Sequence, residues 1–156
     1  MLEKRNFLAA WITVAAIVAL AGIRLTAAAK EQPTVEDLKA RVISAPIGER
    51  PKLCLEIAER QLDAADKLFT ATEGEKAQAA LADVVAFSEQ ARDSALQSGK
   101  HQKQTEISVR KMVRKLTELK HAVTHDEQAG VQNAVDRLER VRDDLLAAMF
   151  HKKGEK

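Results

Sequence analysis

From about residue 50 onward, apolar residues recur every three or four positions, the period of helices that bury one face. A second helix, from about Arg50 to Thr70, carries Cys54, Ile57, Ala58, Gln61, Leu62, Ala65, Leu68 and Phe69 on one stripe. A third carries Ala77, Ala80, Leu81, Val84, Phe87, Ser88, Ala91 and Ala95 and stops at Ser98-Gly99, where glycine can take a left-handed cap. A fourth, from about Lys103 to Val123, carries Val109, Met112, Val113, Leu116, Leu119 and Val123. The fifth has the clearest stripe: Val131, Ala134, Val135, Leu138, Val141, Leu145, Ala148 and Met149. No run alternates at period two, so strands are not expected.

The boundaries follow from punctuation. Thr34-Val35-Glu36-Asp37 reads as a capping arrangement for a short first helix, which must stop before Pro46. Pro51 suits the first turn of the second helix. Thr72-Glu73-Gly74-Glu75 stops the second helix and caps the third, with Thr72 as N-cap and Glu75 at the third position, and Thr124 with Glu127 repeats the cap pattern ahead of the fifth. The expected fold is all-α: an antiparallel helical bundle of about four long helices plus a short N-terminal one. Its parts are a short helix and linker over 30–48, the bundle over 49–150 and a polar tail over 151–156. Gly130 is only a mild penalty, so the last two helices could also run on as one. The excess apolar surface of that version would be covered by a homodimer.

The first 29 residues read differently. Lys4 and Arg5 precede the apolar run Phe7 to Ile23, which Ala27-Ala28-Ala29 follows at signal-peptidase spacing. This is the pattern of a secretory signal peptide over 1–29. The other reading is a retained single-span anchor, since the run is near the lower length limit for a bilayer. Either way residues 30–156 lie on the exported side, periplasmic or secreted, and membrane contact is limited to residues 7–23. With the signal removed, 25 basic and 23 acidic residues become 22 and 22, because Lys4, Arg5, Arg24 and Glu3 leave. A chain of zero formal charge has no nucleic-acid footprint. Trp11 leaves too, and Phe69, Phe87 and Phe150 are the remaining aromatics. Ring-based sugar or base recognition is therefore a poor fit.

Little chemistry stands out. Cys54 is the single cysteine, which forbids an intrachain disulfide and reads as a small buried residue. His121 and His125 stand at i and i+4 on a predicted helix, a spacing that puts both imidazoles on one face for Zn²⁺, Cu²⁺ or Ni²⁺. Asp126 or Glu127 could add an oxygen. His101 and His151 belong to the opposite end of that helix pair. Residues 100–120 are basic, with Lys100, Lys103, Arg110, Lys111, Arg114, Lys115 and Lys120 against Glu106 and Glu118. The second helix leans acidic through Glu56, Glu59, Asp63 and Asp66, so the two are expected to pair internally. No nucleophile elbow, phosphate loop or Cys/His pair occurs, so no enzymatic activity is expected.

The stretch Glu49 to Ala65 contains L-x-x-A-E-R-x-L-x-x-A, from Leu55 to Ala65. It resembles a helix of uncharacterised exported bacterial all-helical domains. That resemblance covers about one helix, implies no activity and transfers no site residue. The function expected from all this is a non-enzymatic interaction module of the bacterial envelope that binds another envelope protein. The alternative is a periplasmic transition-metal-binding bundle built on His121 and His125, with no other cofactor.

Overall fold

The computed structural model describes residues 32–154, and all regular structure among them is helical. Five helices follow one another: α1 (Val35–Ser44), α2 (Arg50–Thr70), α3 (Gly74–Ser98), α4 (Gln102–Ala122) and α5 (His125–Gly154). The signal peptide or anchor expected over 1–29 lies outside the described residues. Among the described residues no helix is long and apolar enough to cross a membrane.

Local chemistry explains most boundaries. The Thr34 hydroxyl accepts the Asp37 N–H at 3.1 Å, and Asp37 accepts the Thr34 N–H at 2.9 Å, a complete capping box. Pro51 opens α2. Gly99 closes α3 with φ 68°, as its sequence position predicts. At α5 the Glu127 carboxylate accepts the Thr124 N–H at 3.1 Å and its hydroxyl at 2.7 Å. Val123 is extended, so α4 and α5 are separate helices.

Two boundaries differ from expectation. The stretch at Thr72 stops α2 as expected, but Thr72 does not cap α3; it closes α2. Its φ is 60°, its N–H donates to the Phe69 carbonyl, and the Glu73 N–H donates to the Leu68 carbonyl. Those two bonds are the Schellman pattern, in which a left-handed residue satisfies the last free carbonyls. Glu73 is left at the start of α3 without a side-chain cap. The polar tail expected from His151 is also shorter, because α5 continues to Gly154.

Short turns make α2/α3 and α4/α5 antiparallel hairpins, each in extensive contact with itself. Across hairpins, α2 packs on α4 and α3 on α5, while α2 and α5 do not touch. These cross-hairpin neighbours are parallel. Asp63 meets Lys115, Arg92 meets Asp144, and Gln78 lies on Gly130, each at a separation of 52 residues. α3 also touches α4, so it contacts all three other long helices. α1 lies across the outer side of the first hairpin. Its Lys39 reaches Asp83 of α3 at 3.0 Å, and Arg60 of α2 donates to the Pro33 carbonyl. The core combines small residues of α3, such as Ala77, Ala91 and Ala95, with Ile57, Leu62, Leu116, Leu138 and Leu145.

A β-branched residue in the left-handed region costs roughly 1–2 kcal/mol. Thr72→Gly should therefore raise unfolding stability by about 1 kcal/mol, read as a higher urea midpoint at unchanged slope. An unchanged or lower midpoint would contradict the assignment of Thr72 to the α2 terminus.

Candidate functional site

The two histidines of the proposed metal pair do not share a helix. His121 is the penultimate residue of α4 and His125 the first of α5, with extended Val123 between them. The i, i+4 helical grip is therefore not formed, because the chain turns within that interval. Both histidines are exposed, and Glu127 is engaged by Thr124. Among the described residues no three of His, Cys, Asp and Glu gather where a metal ion could sit. His101 stands at the start of α4 with φ 61°, and His151 lies within α5.

Cys54 is fully buried in α2, as its place on the apolar stripe predicts. Burial pushes its thiol up from 9.0 to about 11, against the opposing pull of the Arg50 charge. A buried, protonated thiol is a poor nucleophile. The acidic and basic helices pair in part, as expected. Lys115 bonds Asp63 across α2 and α4, with Glu59 and Lys111 alongside.

A feature not visible in the local sequence is the groove between parallel α3 and α5. Its floor is Leu81, Ala82, Val85, Ala86, Gly130 and Ala134, and it encloses about 240 Å³. Gln78 and Asn133 lie at one end, and Glu89 and Arg137 at the other. Arg137 grips Glu89 through both carboxylate oxygens at 2.7 and 2.8 Å. Farther along, Arg92 donates to Asp144 at 2.9 Å. Spacing along one helix could not reveal these partners, since they lie 48 and 52 residues apart. A clue was present all the same: small residues at 82, 86 and 130 flanked by charges at helical intervals.

Compared with protein-family models, with curated proteins and with solved structures, the chain matches none.

Two outcomes test this description. Cys54 should resist iodoacetamide in the folded chain and react once urea unfolds it. Its folded thiol keeps its proton above the pH at which the unfolded thiol loses it. Its share of stability is therefore complete below about pH 9 and lost as pH rises toward 11. Cys54→Ala should flatten the fall in urea midpoint over that window, and an identical slope in both proteins would count against the buried-thiol account. For the histidines, an ion bound only by the folded state at a hundredfold over its dissociation constant would add about 2.7 kcal/mol. With no helical grip, Zn²⁺, Cu²⁺ and Ni²⁺ should leave the thermal midpoint unchanged. A rise that vanishes in the His121→Ala, His125→Ala chain would establish a grip across the turn.

Proposed function

We propose that this chain is an exported, non-enzymatic helical bundle that serves as a protein-interaction module of the bacterial envelope. The observation that carries the reading is the α3/α5 groove. It combines a floor of small and aliphatic side chains with a charged rim, the form that accepts an apolar helix edge with polar flanks. Ala82 and Ala86 are exposed along it, so a partner's side chains could approach the backbone closely. Glu89, Arg92, Arg137 and Asp144 satisfy one another in the free chain and would orient a partner from the rim. Export rests on residues 1–29: the basic start, the apolar run and the alanine triplet. The working place is the periplasm or the outside, or the membrane surface if the apolar segment is retained.

The test is photocrosslinking in living cells from probes placed at Ala82 and Ala86. One envelope protein should be enriched over probes placed on the far side of α2. Ala86→Arg should lower that enrichment at least about tenfold by filling the groove with a charge. Diffuse products of equal yield at all positions would refute the module.

A further inference from the structure

The two hairpins treat their outer sides differently. α1 lies along the outer side of α2/α3, burying Leu38 and Val42 there. Nothing among the described residues lies over the outer side of α4/α5. On that side α4 exposes Lys103, Arg110 and Arg114 at helical spacing. Beside them α5 exposes Asp136, Glu139 and Asp143. Glu118, one turn beyond Arg114, is the acidic exception on α4, and Asp143 has Arg142 of its own helix at 3.5 Å; apart from these, one helix presents a basic ridge and its neighbour an acidic one. Among the described residues no ion pair crosses from α4 to α5. Arg110 leans only on Glu106 of its own helix, at 3.6 Å.

We infer that this face binds a second copy of the chain across a twofold axis parallel to the helices. Such an axis places the α4 of one copy opposite the α5 of the other, so each basic ridge meets an acidic one. The register needs no sliding. Lys120 of α4 bonds Gln132 of α5 at 2.6 Å, which sets Arg110 and Arg114 level with the stretch carrying Asp136, Glu139 and Asp143. Half-buried Ile107 precedes Arg110 by three residues on α4, and half-buried Leu146 and 65% exposed Phe150 follow Asp143 by three and seven residues on α5. At helical spacing they add apolar surface to the same face. The face is about 31 Å long for a helix the length of α4 and about 20 Å wide for two helices side by side. Its projected area of about 600 Å² approaches the ~800 Å² of accessible surface that each partner contributes to a standard interface. A uniformly acidic partner or an anionic lipid surface fits less well, because the α5 ridge would repel it.

The test uses the full chain in a non-ionic detergent, with two tags to read capture of one copy by another. Wild-type chains should capture each other. Arg110→Glu with Arg114→Glu makes both ridges acidic, and Glu139→Arg with Asp143→Arg makes both basic. Each double variant should lose self-capture by at least about tenfold. Mixing the two should restore it, since every acidic ridge then meets a basic one. The restored mixture also demonstrates that both variants fold. If thermal melts show a reversal to be unfolded, Arg110→Gln with Arg114→Gln replaces it, and partial loss of capture is expected. Absence of wild-type capture, capture that survives either reversal, or no recovery on mixing would overturn the inference. None of those results touches the α3/α5 groove, whose partner is read by crosslinking from Ala82 and Ala86.

Discussion

Close approach to α3 is the constraint that the rest of the structure answers to. α3 touches α2, α4 and α5, and small buried side chains let those helices come close to it. Beside Leu81, Val84 and Val85, its buried positions are Ala77, Ala80, Ser88, Ala91, Ser94 and Ala95. The volume they leave is filled from the other helices by Ile57, Leu62, Leu116, Leu138 and Leu145, all essentially inaccessible. Ser88 occupies an alanine-sized place, and its hydroxyl has no partner among the described residues. Enlarging any of these residues would push a helix away, which interiors packed at this density resist. The same closeness appears at Gly130, where an added Cβ would fall 2.2 Å from the Gln78 amide oxygen.

Packing around α3 brings the long helices together, and close contacts such as Gln78 on Gly130 already favour one register. The charges reinforce it. Arg137 on Glu89, Arg92 on Asp144 and Lys115 on Asp63 each join a helix to its parallel neighbour in the other hairpin. Exposed pairs of this kind contribute about 0–1 kcal/mol each, so they are not what holds the fold. A slip of one turn would nevertheless part every pair and set some like charges together. That difference in energy is specificity, and it costs little stability. The groove along α3 and α5 is a consequence: parallel helices with small facing residues leave a floor, and the registering charges form its rim.

Reading the chain alone reached the helices but not their neighbours. The stripes of α2 and α5 were legible because a buried face leaves a period of 3.6, and Leu138, Val141 and Leu145 are buried as that period requires. The Thr34 cap and the Gly99 stop were legible because both act within a few residues. Thr72 was misread because a threonine followed three residues later by glutamate suits a helix start. The same threonine can also close the helix before it, and the Schellman bonds decide the matter. The expectation that His121 and His125 share one helix face failed for a related reason. Spacing along the chain predicts a shared face only while the helix continues, and Val123 interrupts it. The α3/α5 groove depends on residues about fifty positions apart, where no local rule operates.

The contrast between the two outer sides of the helical array follows from how a small chain manages apolar surface. α1 is only ten residues long and covers one side. A comparable apolar surface left open on the other side would be an aggregation hazard. On α4 and α5 that side is mostly charged instead, with Ile107, Leu146 and Phe150 as its apolar part, and apart from Glu118 the two signs are sorted onto separate helices. For the proposed pairing, sorting matters because residues 30–156, the expected exported part, carry no formal net charge, so copies would meet without long-range repulsion. At physiological ionic strength the field of each ridge fades within about 8 Å, so association is decided only when faces are nearly in contact. At that range the pattern outweighs the total: interspersed charges would cancel, whereas sorted ridges attract in one orientation and repel in the orientation that sets like ridge against like.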